Sequence, residues 1–224
     1  MSETEEYVED WWIFRGDKDG AQRFDDQRPE PPPWRRMDPE ARQKRGEVYL
    51  SRPQEKRMVN AAIYLRRPLL VAGDPGIGKS SLAFAVAHEL RLGEVLHWPI
   101  STRTTLKDGL YEYDAISRLH DASLAKSKKG IDDPGAEDQS EDIGRYIRLG
   151  PLGTALLPSA EERPRVLLID EIDKSDIDLP NDLLHLFEEG FFDIPVLKRL
   201  STEERHHVYP NDSETRVEVE GGRV

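Results

Sequence analysis

Apolar residues recur along this chain at two spacings, and these spacings predict both helices and strands. Helical spacing covers residues 53–65 and 79–92, while short apolar runs at 69–72 and 166–169 are typical of buried parallel strands. Residues 94–100 predict a further strand. A strand, a helix and a strand in this order form a βαβ unit. The pattern therefore predicts an α/β fold in which helices flank a parallel sheet.

Two stretches lack this periodicity. Residues 1–46 mix acidic and basic side chains around a proline-rich segment at 29–33, and Trp11 and Trp34 interrupt the polar background. We expect a flexible N-terminal arm whose aromatic residues either fold back onto the body or dock a partner. Residues 121–142 are polar and acidic, and they predict a mobile insertion within a core that spans residues 47–224.

A glycine-rich loop separates the first predicted strand from the helix that follows it. It fits the pattern G-x-x-x-x-G-K-[ST], the Walker A or P-loop motif, which uses successive backbone N–H groups and a helix N-terminus to hold phosphate. Lys79 is expected to reach the β- and γ-phosphates, and the Ser80 hydroxyl is expected to hold Mg²⁺. The predicted nucleotide-binding residues are Gly73, Asp74, Pro75, Gly76, Ile77, Gly78, Lys79, Ser80 and Ser81.

A second motif follows the apolar run at 166–169, where Asp170 and Glu171 end the predicted strand. This is the Walker B pattern. Asp170 is expected to bind Mg²⁺, usually through water, and Glu171 to orient or deprotonate the attacking water. Glu171 and the P-loop lysine Lys79 are the predicted catalytic residues. An acidic turn that merely caps a helix is the alternative, and the P-loop upstream disfavours it.

The sequence lacks the guanine-reading motif of GTPases, and this narrows the expected nucleotide. A GTPase needs an Asn-Lys-x-Asp segment, yet none of Asn60, Asn181 and Asn211 precedes a lysine. The Asp-Glu pair favours water as the acceptor of the phosphoryl group. The predicted activity is therefore ATP hydrolysis with ATP and Mg²⁺ as ligands.

Together with Lys174-Ser175 after the acidic pair, the two motifs resemble those of AAA+ P-loop ATPases. A closer resemblance, over about residues 47–224, is to the MoxR-like branch, carried by the segments 67–73, 150–152, 183–190 and 192–195. The resemblance implies a homo-oligomeric ring that remodels or activates a protein partner, often one of von Willebrand A type. It also implies a place in a bacterial stress or conflict system.

The family pattern includes a sensor strand, an arginine finger and a helical lid, which the sequence after Glu171 does not predict. Arg199, Arg205 and Arg216 carry no signal beyond surface charge. We therefore expect the core to be truncated at the C-terminus, with the lid absent. The alternative hypothesis is a nucleotide-binding interaction module with little hydrolysis of its own.

Composition limits the partners. The net charge of −12 argues against nucleic acid and favours a protein partner. No apolar run is long enough for a membrane span, and no signal peptide precedes the body, so a cytoplasmic location is expected. The six histidines show no metal-binding spacing, and His206-His207 predicts a polar surface pair. Tyr49 and Leu50 are expected near the adenine, with ordinary packing as the alternative.

Overall fold

The structure is a computed structural model, and it describes residues 12–13, 24–26, 28, 30, 46–128, 142–157, 164–200 and 205–224. The chain divides into two units, Met1–Lys44 and Arg45–Val224. In the first unit residues 24–26 form a helical turn, and the Arg28 amide donates to the Phe24 carbonyl at 3.1 Å. Most of the predicted arm lies outside the described residues.

The second unit alternates helices and strands along its described residues. The helices are α1 Pro53–Leu65, α2 Lys79–Glu89, α3 Leu106–Leu110, α4 Ala115–Lys128, α5 Pro151–Ala155, α6 Asp178–Glu189 and α7 Pro195–Lys198. The strands are β1 Leu96–Pro99, β2 Tyr111–Tyr113, β3 Ile147–Leu149, β4 Leu167–Asp170, β5 Arg205–Val208 and β6 Val217–Glu220.

Helix α1 begins and ends where local chemistry favours a boundary. Pro53 occupies the first helical position, where its missing N–H costs nothing, and the Arg52 amide donates to the Glu55 carboxylate at 2.7 Å. The chain leaves the helix through Arg66, which adopts a left-handed conformation with φ 49°. The helix predicted over residues 53–65 is confirmed.

Strands β1 and β4 form the parallel pair that organises the site. Their register runs from Leu96 opposite Leu167 to Pro99 opposite Asp170, so both strands end at the same edge. Helix α2 contacts β4. The pair confirms a parallel sheet with helices, although the sheet is small: β2–β3 and β5–β6 are separate antiparallel pairs.

The buried strand predicted at 69–72 is wrong in the structure. The segment is not a strand, and 81% of Leu70 is exposed. Among the described residues, no backbone hydrogen bond joins residues 68–72 to a neighbouring strand. An apolar run indicates that a segment tends to be buried, but it does not show whether a partner strand lies beside that segment. Here no partner strand is found among the described residues.

Part of the mobile insertion predicted at residues 121–142 is helical in the structure. Residues 121–128 continue helix α4, while 129–141 lie outside the described residues. At the start of this helix, the Asp114 carboxylate accepts a hydrogen bond from the Ser117 amide at 2.8 Å. This bond satisfies one of the free N–H groups of the first helical turn. Asp121 then accepts from Arg145 and from Tyr146, each at 2.9 Å. These contacts hold the helix at Asp114 and Asp121, and the helix continues into a stretch for which composition alone predicts a loop.

The hydrophobic core lies beside the parallel pair. Its fully buried side chains come from β3, α5, α7, β5 and the residue before α7, and they are Ile147, Leu149, Leu152, Ile194, Leu197 and Val208. No α1 residue is buried.

The structure contradicts the prediction that His206 and His207 form a polar surface pair. His207 is exposed, but only 6% of His206 is, because alternation along β5 turns it and Val208 towards the core. The His206 Nε2 atom is buried without a hydrogen-bond partner among the described residues. His206 is therefore part of the packing of the hairpin rather than of a polar surface.

Among the residues that the structure describes, no helix combines the length and apolar character that crossing a bilayer requires.

Candidate functional site

The site is formed where the first turn of α2 meets the carboxyl end of β4. Ser80 lies in the first turn of the helix, and its hydroxyl donates to the Asp170 carboxylate, with distances of 3.2 Å to Oδ1 and 3.1 Å to Oδ2. These residues are separated by ninety positions in the chain. The structure thus brings together the two predicted Mg²⁺ ligands, which the sequence places in different motifs.

Lys79 is the first residue of α2, and its ammonium group folds back over the loop. It donates to the carbonyl oxygens of Gly73 at 2.7 Å and of Asp74 at 2.8 Å. These bonds hold the ammonium above the loop and keep its charge close to the helix N-terminus. Lys79 therefore adds a full positive charge to the amides and the helix dipole that attract an anion there.

The remaining predicted loop residues are placed as follows. Residues 73–77 are exposed, so the loop is open to solvent, and Pro75 and Gly76 form its turn. The Ile77 side chain lies against Gly73, since a Cβ atom added to Gly73 would be 2.6 Å from Ile77 Cδ1. Ser81 is half-buried in α2.

Tyr49 packs against this loop. An added Cβ atom on Gly78 would lie 3.0 Å from Tyr49 Cε2, so the ring occupies the space beside that glycine. Burial, and then the nearby Glu55 carboxylate, raises the pKa of the Tyr49 hydroxyl. Leu50 behaves differently, because 91% of it is exposed. Tyr49 thus contacts the P-loop, whereas Leu50 points into solvent; their role towards adenine stays a prediction.

Replacing Gly78 with alanine is expected to destabilise the fold more than replacing Gly76. Both glycines have left-handed backbones, with φ 94° and 81°, so each alanine carries a strain of about 1–2 kcal/mol. Only at Gly78 does the new methyl group also crowd a ring, since nothing lies within 4 Å of a Cβ on Gly76. Thermal unfolding of both variants measures the difference, and equal shifts would contradict the Tyr49 contact.

Glu171 follows β4 in an unusual backbone conformation. Its φ of 61° and ψ of 39° are left-handed, which costs a non-glycine residue about 1–3 kcal/mol and is found preferentially at functional sites. The Glu171 carboxylate pairs with the Lys174 ammonium at 2.7 Å, and this bond raises the pKa of Lys174. Asp170 and Glu171 therefore face different partners, although they are neighbours in sequence.

His97 is the site residue that the sequence does not reveal. It lies on β1, and its Nε2 atom is 3.5 Å from Asp170 Oδ2. No spacing rule connects it to Asp170, because the contact depends on the pairing of β1 with β4. A strand predicted beside the Asp170 strand is the one signal that could have drawn attention to it.

Comparison with known protein families agrees with this geometry. A family model described as the AAA domain (dynein-related subfamily) matches residues 68–211, which is more than half of the chain. The chain belongs to the AAA family. The matched region contains the P-loop, Asp170 and Glu171, so the AAA domain is a nucleotide-binding α/β domain of the P-loop NTPase class. No curated protein and no solved structure matches the chain.

Proposed function

We propose that this AAA domain binds ATP together with Mg²⁺ and hydrolyses the bond between the β- and γ-phosphates of ATP. The observation that supports this most directly is the contact of the Ser80 hydroxyl with the Asp170 carboxylate, at 3.1 Å, beside the P-loop. A phosphate-binding loop and a pair of oxygen ligands at one place are what an NTP with a divalent cation requires.

The Ser80 hydroxyl and the Asp170 carboxylate are suitable ligands for Mg²⁺. A hydroxyl and a carboxylate are hard oxygen ligands, and Mg²⁺ in such sites takes one or two protein ligands and completes its shell with water and phosphate. Ser80 and Asp170 would hold it. When bound, the ion neutralises charge on the β- and γ-phosphate oxygens.

The other residues divide the remaining tasks. The loop amides and Lys79 bind the phosphates and stabilise the negative charge that develops as the bond breaks. Glu171 orients a water molecule and accepts its proton. The Lys174 ammonium lies 2.7 Å from the Glu171 carboxylate, so this pair must rearrange or share the carboxylate before the water is activated.

Replacing Ser80 with alanine is expected to weaken ATP binding about tenfold when Mg²⁺ is present and little when EDTA is added. The reason is that the hydroxyl contributes through the cation and not through the phosphate directly. Ser123→Ala is the control, because it removes a helical hydroxyl from α4, where Ser123 donates to the Leu119 carbonyl and belongs to no predicted nucleotide-binding motif. Titration of a fluorescent ATP analogue measures both affinities. Equal losses with and without Mg²⁺ would contradict the role of Ser80.

We further infer that hydrolysis is coupled to remodelling of a protein partner by a ring of the MoxR-like type. The net charge of −12 supports a protein over a nucleic acid as the partner. Turnover measured with a von Willebrand A-type partner and with DNA tests this. Stimulation by DNA alone would reject the protein-partner proposal.

A second candidate function is nucleotide binding without appreciable hydrolysis. One observation favours it: the segment at 69–72, which leads into the P-loop, has no strand partner among the described residues. Steady-state phosphate release by the purified chain separates the two candidates. Turnover that Glu171→Gln abolishes supports the ATPase, whereas tight binding without turnover supports the binding module.

A further inference from the structure

Strand β4 is paired along only one of its two edges. The Leu96 amide of β1 donates to the Val166 carbonyl at 2.9 Å, and Leu96 lies opposite Leu167 in the parallel register. Backbone groups of successive residues point to opposite sides of a strand, so the N–H and C=O groups of Leu167 and Ile169 point away from β1. Among the described residues, these four groups make no hydrogen bond. They form the free edge of β4.

The side chains of β4 are also less covered than those of an internal parallel strand. Every residue of Leu167–Asp170 is only partly buried, although strands of parallel sheets are normally covered on both faces. An apolar strand edge with free N–H and C=O groups is a template for pairing with another extended segment. Only a polypeptide in the extended conformation offers donors and acceptors at the spacing of these groups. The chemistry of the free edge therefore specifies a β-strand as its ligand.

The two ends of the free edge differ in charge. At its start, the Arg165 guanidinium is paired with the Asp212 carboxylate at 2.6 Å, so this end is neutral. Beyond its other end, residues 170–178 contain five acidic residues and one lysine. Asp173 and Asp178 are exposed and form no ion pair among the described residues. Charge complementarity therefore favours a strand that carries lysine or arginine at the end that meets residues 170–178.

We propose that the free edge of β4 binds an extended segment of a protein partner, which adds a strand to the β1–β4 sheet. The segment has apolar side chains that pack on those of β4, and a basic residue beyond its end at Asp170. Main-chain hydrogen bonds give the affinity, and the apolar and basic side chains give the specificity. The inference rests on the part of the proposed function that assigns a protein partner, and it does not require ATP hydrolysis.

The register of β4 provides a test variant and a matched control. Leu167→Pro removes an N–H group of the free edge and places a ring where the added strand would approach. Proline is tolerated at the first residue of a strand, which is the position of Leu167, and the bonds to β1 remain. Val166→Pro is the control, because it makes the same change one residue earlier and keeps the carbonyl that accepts from Leu96. The Val166 amide makes no hydrogen bond among the described residues.

The test uses the full chain and, as probes, peptides selected on it from a displayed library of random short sequences. We expect the selected peptides to share alternating apolar residues followed by lysine or arginine. Their affinity, measured by calorimetry, is expected to fall about tenfold in Leu167→Pro and to stay within about twofold in Val166→Pro. Hydrogen exchange at the Leu167 and Ile169 amides of the unaltered chain is expected to slow when a selected peptide is added.

Several results would overturn the proposal. One is a library from which no peptide is enriched, and a second is equal binding by Leu167→Pro and the unaltered chain. A third is slow exchange at the Leu167 and Ile169 amides without peptide, which would mean that the chain itself pairs with this edge. A dimer that Leu167→Pro dissociates would make a second copy the occupant instead.

Two further measurements keep these outcomes decisive. If Leu167→Pro does not fold, hydrogen exchange of the unaltered chain with and without peptide decides whether the free edge is the binding site. ATP binding by the unaltered chain is measured on the same preparation. If ATP binds and no peptide does, this inference fails while the proposed nucleotide site stands. If a peptide binds at the edge and ATP does not, the proposed ATPase function fails by itself.

Discussion

Replacing Glu171 with glutamine is expected to lower the rate of ATP hydrolysis by about 10²–10⁴-fold while ATP binding stays within about twofold. The amide keeps the size of the side chain but cannot accept a proton from water. The left-handed backbone at Glu171, with φ 61°, is equally strained in both forms, so stability is expected to change little. Single-turnover measurements of the bound nucleotide separate this loss from any change in affinity.

Asp173→Asn is the matched control for this variant. It makes the same change of charge two residues further on, at an exposed position in the same turn. Hydrolysis is expected to stay near that of the unaltered chain. Equal losses in the two variants would indicate that local charge, rather than the Glu171 carboxylate itself, determines the rate.

Replacing Lys79 with alanine is expected to weaken ATP binding by about 10–100-fold, since hydrogen bonds to charged groups contribute about 1.5–3 kcal/mol each. The ammonium is already held at the loop by the Gly73 and Asp74 carbonyls, so little rearrangement is needed for it to reach a phosphate. Calorimetric titration with a non-hydrolysable ATP analogue and Mg²⁺ measures the change.

The control for Lys79→Ala is Lys56→Ala on helix α1. Lys56 is exposed and its removal changes the net charge by the same amount. A comparable loss of affinity in both variants would mean that long-range charge attracts the nucleotide, and Lys79 would then have no specific role.

The parts of the site that the sequence predicts are those fixed by local chemistry. Glycines at positions with positive φ, Lys79 at the start of a helix and carboxylates after an apolar run all leave a signal within a few residues. Their meeting in space could also be expected, because the P-loop and the end of a parallel strand share one edge of the sheet in α/β folds. The contact between Ser80 and Asp170 agrees with that expectation.

The parts that the sequence does not predict depend on partners distant in the chain. Whether residues 69–72 become a strand depends on a neighbour that their own pattern does not contain. Asp121, the first residue of the helical stretch 121–128, accepts hydrogen bonds from Arg145 and Tyr146, which lie more than twenty residues further along the chain. The burial of His206 and the position of His97 beside Asp170 likewise follow from strand pairing. Polarity and spacing in one dimension carry no information on these contacts.

We propose that Ser80, Asp170 and the P-loop form one Mg²⁺-dependent ATP site. The decisive measurement is equilibrium binding of ATP to the full chain, first with Mg²⁺ and then with EDTA. We expect saturable binding at one site that weakens when Mg²⁺ is removed and that falls about 10–100-fold in Lys79→Ala. Absence of binding in the unaltered chain, or equal binding by the unaltered chain and Lys79→Ala, would contradict it.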